Sequence, residues 1–268
     1  MTATVPGLRE MKKAGTKIVA VVAWDYQMAR IVDRVGVDIV SVGDTVGVNL
    51  WGHTNPLQVT MDEMITVCRA VRRAVKGALV SCDFPFGPLQ EGTDSAVSAA
   101  IRLVKEAGVD LVKLDGAADF PEAVTAVERA GIPVWAQFGI TPQRALRHGV
   151  AYGAVSHVPS SLVDEMVAEA VLLEAAGASL LDFTNSGPVA GARVRDAVAI
   201  PVLGGFGGGP WLDGRVRMAH AAIGYAAAGL DSPPDTYANV AAISFGALGA
   251  YAADVRAGRQ IRGGIPLT

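Results

Sequence analysis

Three aspartates stand directly after short apolar runs: Asp44 after VDIVSVG, Asp83 after ALVSC and Asp115 after DLVKL. Taken singly, each opens a turn or caps a helix, the ordinary use of Asp after a strand. Taken together they can hold a metal. Carboxylates gathered in one apolar mouth raise one another's pKa, and a hard divalent cation relieves that repulsion. Oxygen-only ligation with open positions suits Mg2+, which keeps waters or substrate oxygens in its shell. Lys113 precedes Asp115 by two residues, so on a strand both side chains point to one side. Its ammonium offers a partner for a substrate carboxylate. Other chemistries find no support: His53, His148, His157 and His220 lack the i, i+4 spacing of a helical metal pair, and there is no GxSxG elbow. Cys68 and Cys82 form no CxxC pair, and Cys82 reads as a core residue.

These aspartates act together only if their strands lie side by side. Strand patterns fall at 17–24, 38–42, 78–82, 110–114, 132–137, 179–183 and 200–204. Helices are expected between them: 27–35 capped by Asp25, and 61–75 capped by Thr60, with Glu63 completing a capping box. Further helices are expected from Thr93 or Asp94 to 107, over 120–130, from a Ser161 cap to 176, and over 189–198. Residues 215–225 fit a short eighth strand or a helix, and 226–268 read as a helical tail broken at 233–234. The alternation implies parallel βαβ units and, at this length, a (β/α)8 TIM barrel: one domain over 1–268 with a helical C-terminal tail. All three aspartates then open at the carboxyl ends of strands, where barrels carry chemistry. The loop of about 20 residues before Ser161 is long for a structureless connection. The glycine run at 204–209 follows the seventh strand, where a barrel commonly places a substrate-anion loop.

With 51% hydrophobic and 18% charged residues among 268, the chain has the material for a large core. A net charge of −3 with no Lys/Arg cluster leaves no footprint for nucleic acid. No apolar run approaches the ~20 residues of a membrane span, and residues 1–17 do not resemble a signal peptide. A cytoplasmic protein with a small-molecule substrate is expected.

The strings VGDTVG (42–47), CDFPFG (82–87), VKLDG (112–116) and GITPQ (139–143) occur in that order. With EAAGA before the sixth strand and IPV in the seventh, the chain resembles the ketopantoate hydroxymethyltransferase family from about residue 15 to 214. That family is related to phosphoenolpyruvate mutase and isocitrate lyase. The resemblance implies a barrel that binds Mg2+ and a 2-oxo acid, and takes a hydroxymethyl group from 5,10-methylenetetrahydrofolate. It also implies a homo-oligomer, often a decamer. By position, Asp44 and Asp83 match the family's metal-site aspartates, Lys113 its substrate-carboxylate lysine, and Thr45 a serine that binds the same carboxylate. Asp115 replaces a glutamate near the metal and is one methylene shorter, so a water would intervene. The metal is implied to stabilise an enolate and so acidify the C3 proton of the substrate.

The chain departs from the family on the other side of the pocket. The family's general-base glutamate falls at Thr184, whose hydroxyl has no useful basicity near neutral pH. Asp182 lies two residues earlier on the same strand face, ~6–7 Å further down. It is open to two readings, a displaced base or a buried structural carboxylate. The family's histidine is Gln137, which can hydrogen-bond a substrate oxygen but cannot act as an acid. A basic segment after GITPQ is replaced by AYGAVSHVPSS (151–161).

The expected activity is Mg2+-dependent aldol-type C–C bond chemistry on a 2-oxo acid, hydroxymethyltransferase-like, on 3-methyl-2-oxobutanoate or a relative. Asp182, Thr184 and Lys113 are the catalytic candidates, Thr45, Lys113 and Gln137 the substrate contacts, and Asp44, Asp83 and Asp115 the metal site. Two alternatives stand beside it: a superfamily lyase or hydrolase of a 2-oxo or hydroxy diacid, and a ligand-binding homologue with altered catalysis.

Overall fold

A computed structural model describes residues 2–141, 144, 149, 157–232 and 235–263. Eight strands form one parallel sheet curled into a nearly closed barrel: β1 (Ile18–Val22), β2 (Ile39–Val42), β3 (Leu79–Asp83), β4 (Leu111–Asp115), β5 (Val134–Gly139), β6 (Leu180–Thr184), β7 (Val202–Leu203) and β8 (Gly214–Met218). Their order is β7-β6-β5-β4-β3-β2-β1-β8. The two ends meet where the Asp213 amide donates to the Val202 carbonyl at 2.9 Å and Val216 to Gly204 at 3.3 Å. The helices are α1 (Val5–Lys13), α2 (Tyr26–Val35), α3 (Val46–Leu50), α4 (Met61–Ala74), α5 (Thr93–Arg102), α6 (Pro121–Arg129), α7 (Val163–Ala175), α8 (Gly187–Ala197), α9 (Ala219–Ala222) and α10 (Val240–Arg256). The α/β barrel read from the alternation of apolar runs is the observed architecture.

Local rules account for most boundaries. The Asp25 carboxylate accepts from the Met28 amide at 2.8 Å to start α2, and Gly36 ends it at φ 86°. Thr60 and Glu63 form the expected capping box of α4. Two caps differ from expectation. The N-cap of α5 is Gly92 at φ 112°, which turns the chain without a side-chain bond, so Thr93 is already helical. At α7 a 3-10 turn over Ser160–Leu162 comes first, and no side chain caps the helix. The ambiguity at 215–225 resolves into both elements, β8 and then the single turn α9.

Acidic side chains finish the amino ends of several strands. Asp38 accepts from the Val19 amide at 2.8 Å, Asp110 from Val80 at 2.8 Å, Glu128 from Val134 at 2.9 Å and Asp213 from Val202 at 2.9 Å. Lys12, on α1, donates to the carbonyls of Arg195, Val198 and Ile200 at 2.8–2.9 Å and pairs with Asp213 at 3.1 Å. Backbone amides at the strand starts are thus satisfied by carboxylates of the same end of the barrel.

The chain divides into two compact units, Met1–Arg217 and Met218–Thr268. The second holds α9, a 3-10 turn over Ala227–Leu230, and α10. Asn239 caps α10 by accepting from the Ala242 amide at 3.0 Å and ties it to that turn through the Gly229 carbonyl at 2.9 Å. The break expected at 233–234 lies outside the described residues. Among the described residues no helix is long and apolar enough to cross a membrane.

Candidate active site

Register sets the site. Asp83 is paired with Lys113 and Lys113 with Trp135; one step up, Asp115 is paired with Gln137 and Gln137 with Asp182. Strand alternation turns all of these to one face, and ion pairs across three strands identify that face as the barrel interior. The Lys113 ammonium lies 2.9 Å from Asp182 Oδ2 and 3.6 Å from Asp83 Oδ2, with its charge 5.4 Å from the Trp135 ring centroid. Below them Ser81 donates to Ser41 at 2.7 Å. Beside them Gln137 Nε2 donates to Thr184 Oγ1 at 3.0 Å.

Asp44 and Thr45 lie between β2 and α3. Their approach depends on Gly43: a Cβ there would stand 2.9 Å from Thr45 Oγ1 and 3.5 Å from Asp83 Oδ2. A side chain at Gly43 would displace the Thr45 hydroxyl and lie against Asp83. The Thr45 hydroxyl makes no capping bond to α3.

Burial without enough partners makes this an electrostatically loaded place. Burial raises the Asp44 carboxyl well above the usual range, and the charges of Asp83 and Asp115 add to it. Asp115 is pushed up to about 7 by burial, against the pull of Lys113. Asp83 is raised as well, chiefly by burial, with Lys113 opposing and Asp182 adding to the rise. Burial works against the charge on Lys113, yet Asp182 and Asp83 outweigh it and hold the lysine protonated. One oxygen each of Asp83, Asp115 and Asp182 is buried with no hydrogen-bond partner. Unpaired buried carboxylate oxygens are costly, and in a native fold they ask for a cation, water or substrate donor.

The donor chemistry fits Mg2+: hard oxygen atoms, negative charge in excess and buried oxygens without partners. Among the described residues no group of three or more His, Cys, Asp and Glu converges as a metal cage. Mg2+ seldom uses one, since one or two carboxylates with water and substrate oxygens suffice.

The expected residues are therefore distributed as follows. Asp83, Lys113 and Asp182 are in contact, Gln137 and Thr184 are in contact, and Asp44 and Asp115 are close enough to repel Asp83 or each other. The pairing of Lys113 with Asp182 was not legible, because it spans two intervening strand registers. Trp135 was also missed, although its spacing of two from Gln137 carried the signal. The glycine run at 204–209 is closely packed. A Cβ at Gly209 would stand 2.4 Å from the Trp211 ring, one at Gly208 2.6 Å from the Gly204 carbonyl, and one at Gly204 2.8 Å from the Phe183 carbonyl. Pro142 and Gln143 of the GITPQ string, His148, and residues 151–156 lie outside the described residues.

Over residues 2–260 the chain matches the family described as ketopantoate hydroxymethyltransferase. It is 36% identical over 263 residues to the 3-methyl-2-oxobutanoate hydroxymethyltransferase of Gloeobacter violaceus, covering 96% of this chain and 98% of that one. In fold it is similar to 2,3-dimethylmalate lyase, described as a PEP mutase/isocitrate lyase superfamily member, with a TM-score of 0.62, 16% identity and complete coverage of both chains. It is likewise similar to phosphonopyruvate hydrolase in complex with oxalate and Mg++, with a TM-score of 0.60, 14% identity and coverage of 100% of this chain and 92% of that one. At such identities these two structures speak for the fold.

Proposed function

The chain belongs to the ketopantoate hydroxymethyltransferase family, and from that premise we propose that it transfers a hydroxymethyl group to 3-methyl-2-oxobutanoate or a related 2-oxo acid, with 5,10-methylenetetrahydrofolate as donor. The carrying observation is the buried cluster at the carboxyl ends of β3, β4 and β6, where Lys113 sits among Asp83, Asp115 and Asp182 and three carboxylate oxygens have no partner.

Asp44 and Asp83 are the residues to hold Mg2+, with Asp115 adjoining. When bound, Mg2+ supplies Lewis-acid polarisation of the 2-oxo group. Lys113 and the Thr45 hydroxyl receive the substrate carboxylate; the ammonium, held by Asp182 and Asp83, loses little rotamer freedom when it does so. Gln137 and Thr184 pair with each other, which leaves the second Gln137 Nε2 hydrogen and the Thr184 hydroxyl proton to donate to substrate oxygens and orient the substrate. Neither can take a proton from carbon. Asp182 bonds Lys113 through Oδ2 and keeps Oδ1 without a partner, and it is this oxygen that we assign to the C3 proton. The C3–H bond breaks with its proton passing to Asp182, and C3 bonds to the one-carbon unit. Both C–N bonds of the methylene bridge break, water supplies the oxygen of the new hydroxyl, and the two folate nitrogens take up the proton from Asp182 and one from water as tetrahydrofolate leaves.

The test is C3 proton exchange in D2O, followed by NMR with Mg2+ and 3-methyl-2-oxobutanoate. Wild type exchanges; Asp182→Asn slows exchange by about 100-fold or more, while Thr184→Ala changes it by about threefold at most. Undiminished exchange in Asp182→Asn removes Asp182 from the base role. Turnover of a hydroxy diacid without folate would instead favour a superfamily lyase. We further assign a homo-oligomer, since Ile243, Phe245, Leu248, Tyr251 and Val255 of α10 are all exposed; sedimentation at a monomer mass would refute it.

A further inference from the structure

Among the described residues, Asn185 alone of the non-glycine residues has a positive φ, 57°. It directly follows Thr184 at the end of β6 and is 4% exposed. Asn tolerates this left-handed conformation better than other side-chain-bearing residues, yet it remains a minority conformation that surroundings must enforce. Here three bonds do so. The Asn185 amide donates to the Phe206 carbonyl at 2.7 Å, its carbonyl accepts from the Val158 amide at 2.7 Å, and its side-chain Nδ2 donates to the Ile140 carbonyl at 3.0 Å.

Those partners belong to different parts of the rim. Ile140 directly follows β5, Val158 precedes α7, and Phe206 follows β7. One residue thus holds both ends of the long β5–α7 connection and the glycine-rich β7 loop. The side-chain bond acts closest to the site. It clamps the end of β5 onto the end of β6, where the two backbones are already so close that a Cβ at Gly139 would stand 2.5 Å from the Thr184 carbonyl. Gln137 and Thr184, the hydrogen-bonded pair on these same strands, lie immediately below the clamp.

We propose that Asn185 is a positioning residue: its side-chain amide, presented from a left-handed backbone, fixes the Gln137–Thr184 wall against which the 2-oxo acid is oriented. This rests on the functional reading above. It assigns the amide a role distinct from the backbone conformation, and two variants separate them. Asn185→Gly keeps the left-handed backbone at no steric cost and removes the amide. Asn185→Asp keeps shape and conformation but sets an acceptor against the Ile140 carbonyl.

With Mg2+ present, both variants should raise KM for 3-methyl-2-oxobutanoate by about fivefold to tenfold, the worth of one buried hydrogen bond. KM for 5,10-methylenetetrahydrofolate should stay within about twofold. Hydrogen exchange should quicken at the Val158 amide and at the β5 and β6 ends, and nowhere else. A role confined to stability would leave both KM values at wild type or move them together, with exchange quickened across the barrel, and either result overturns the proposal. Wild-type protein that fails to turn over the 2-oxo acid overturns the functional reading alone. The exchange pattern of Asn185→Gly then decides the proposal: local quickening supports it, and unchanged or global exchange refutes it.

Discussion

The two ends of the barrel use the same residue types to opposite effect. At the amino ends of the strands, Asp33, Asp38, Asp110, Glu128 and Asp213 accept backbone amides, and Lys12 meets one carboxylate and three carbonyls. At the carboxyl ends, Asp83, Asp115 and Asp182 each keep a buried oxygen without a partner around one lysine. Their proton affinities diverge accordingly. Burial would raise Asp33, but the amides of Ala78, Gly77 and Lys76 outweigh it and hold its carboxyl below the usual range. Asp44 and Asp115 are raised. One end spends its carboxylates on stability; the other leaves them buried, crowded and incomplete, which is the condition for binding something from solution.

Substitutions at the two ends should therefore separate activity from stability. The largest expected effect is on catalysis: Asp83→Asn should lower kcat/KM by about 1,000-fold or more while the metal-free protein melts no lower than wild type. A clear loss of Tm would show that Asp83 is structural. At the amino end, Asp213→Ala leaves the part-buried Lys12 ammonium with three carbonyls but no carboxylate and should cost about 2–3 kcal/mol in a denaturant titration. At temperatures where that variant is folded, kcat/KM should be close to wild type; a proportionate loss of activity would erase the contrast.

Protonation sharpens it further. The unfolded-chain pKa of Asp is about 3.9, whereas folded Asp115 titrates at about 7. Between these values the folded state keeps a proton that the unfolded chain has lost, so Asp115 withdraws stability as pH rises from about 4 to about 7. Asp115→Asn should remove that slope and raise the metal-free Tm at pH 8 by about 3–6 °C. Mg2+ should stabilise wild type more than this variant, and equal Tm gains in both would argue against Asp115 near the metal. Asp33 has the opposite sign. Its depressed pKa contributes stability above about pH 4 that is lost as pH falls through the folded value. Asp33→Asn should cost about 1 kcal/mol at pH 7, and the cost should fade as pH falls through the lowered folded pKa of Asp33. It is the smallest of the four effects.

Much of this was legible without coordinates. Alternating β-branched runs and helix caps such as Thr60 with Glu63 are local signals, and local physics carried them through to β1–β7 and α4. Gly92 and the 3-10 turn at Ser160 were misjudged because a glycine turn or a tightened first turn starts a helix as well as a side-chain cap does. Asp44, Asp83 and Asp115 could be named because each follows an apolar run, and Lys113 because it stands two residues before Asp115 on the same strand face.

What the sequence could not determine is who meets whom. Lys113 and Asp182 are 69 positions apart, and nothing in either neighbourhood marks the other. Barrel stagger brings them to 2.9 Å, since pairing across a sheet depends on register summed over the strands between. The same holds for Gln137 with Thr184, and for Asn185, whose left-handed backbone is enforced by partners at residues 140, 158 and 206. The chain's own pattern determined the barrel and the places of Asp44, Asp83 and Asp115 at or just after its strand ends. Tertiary structure alone decided which of those charges are answered, because burial and partnership are properties of the assembled interior.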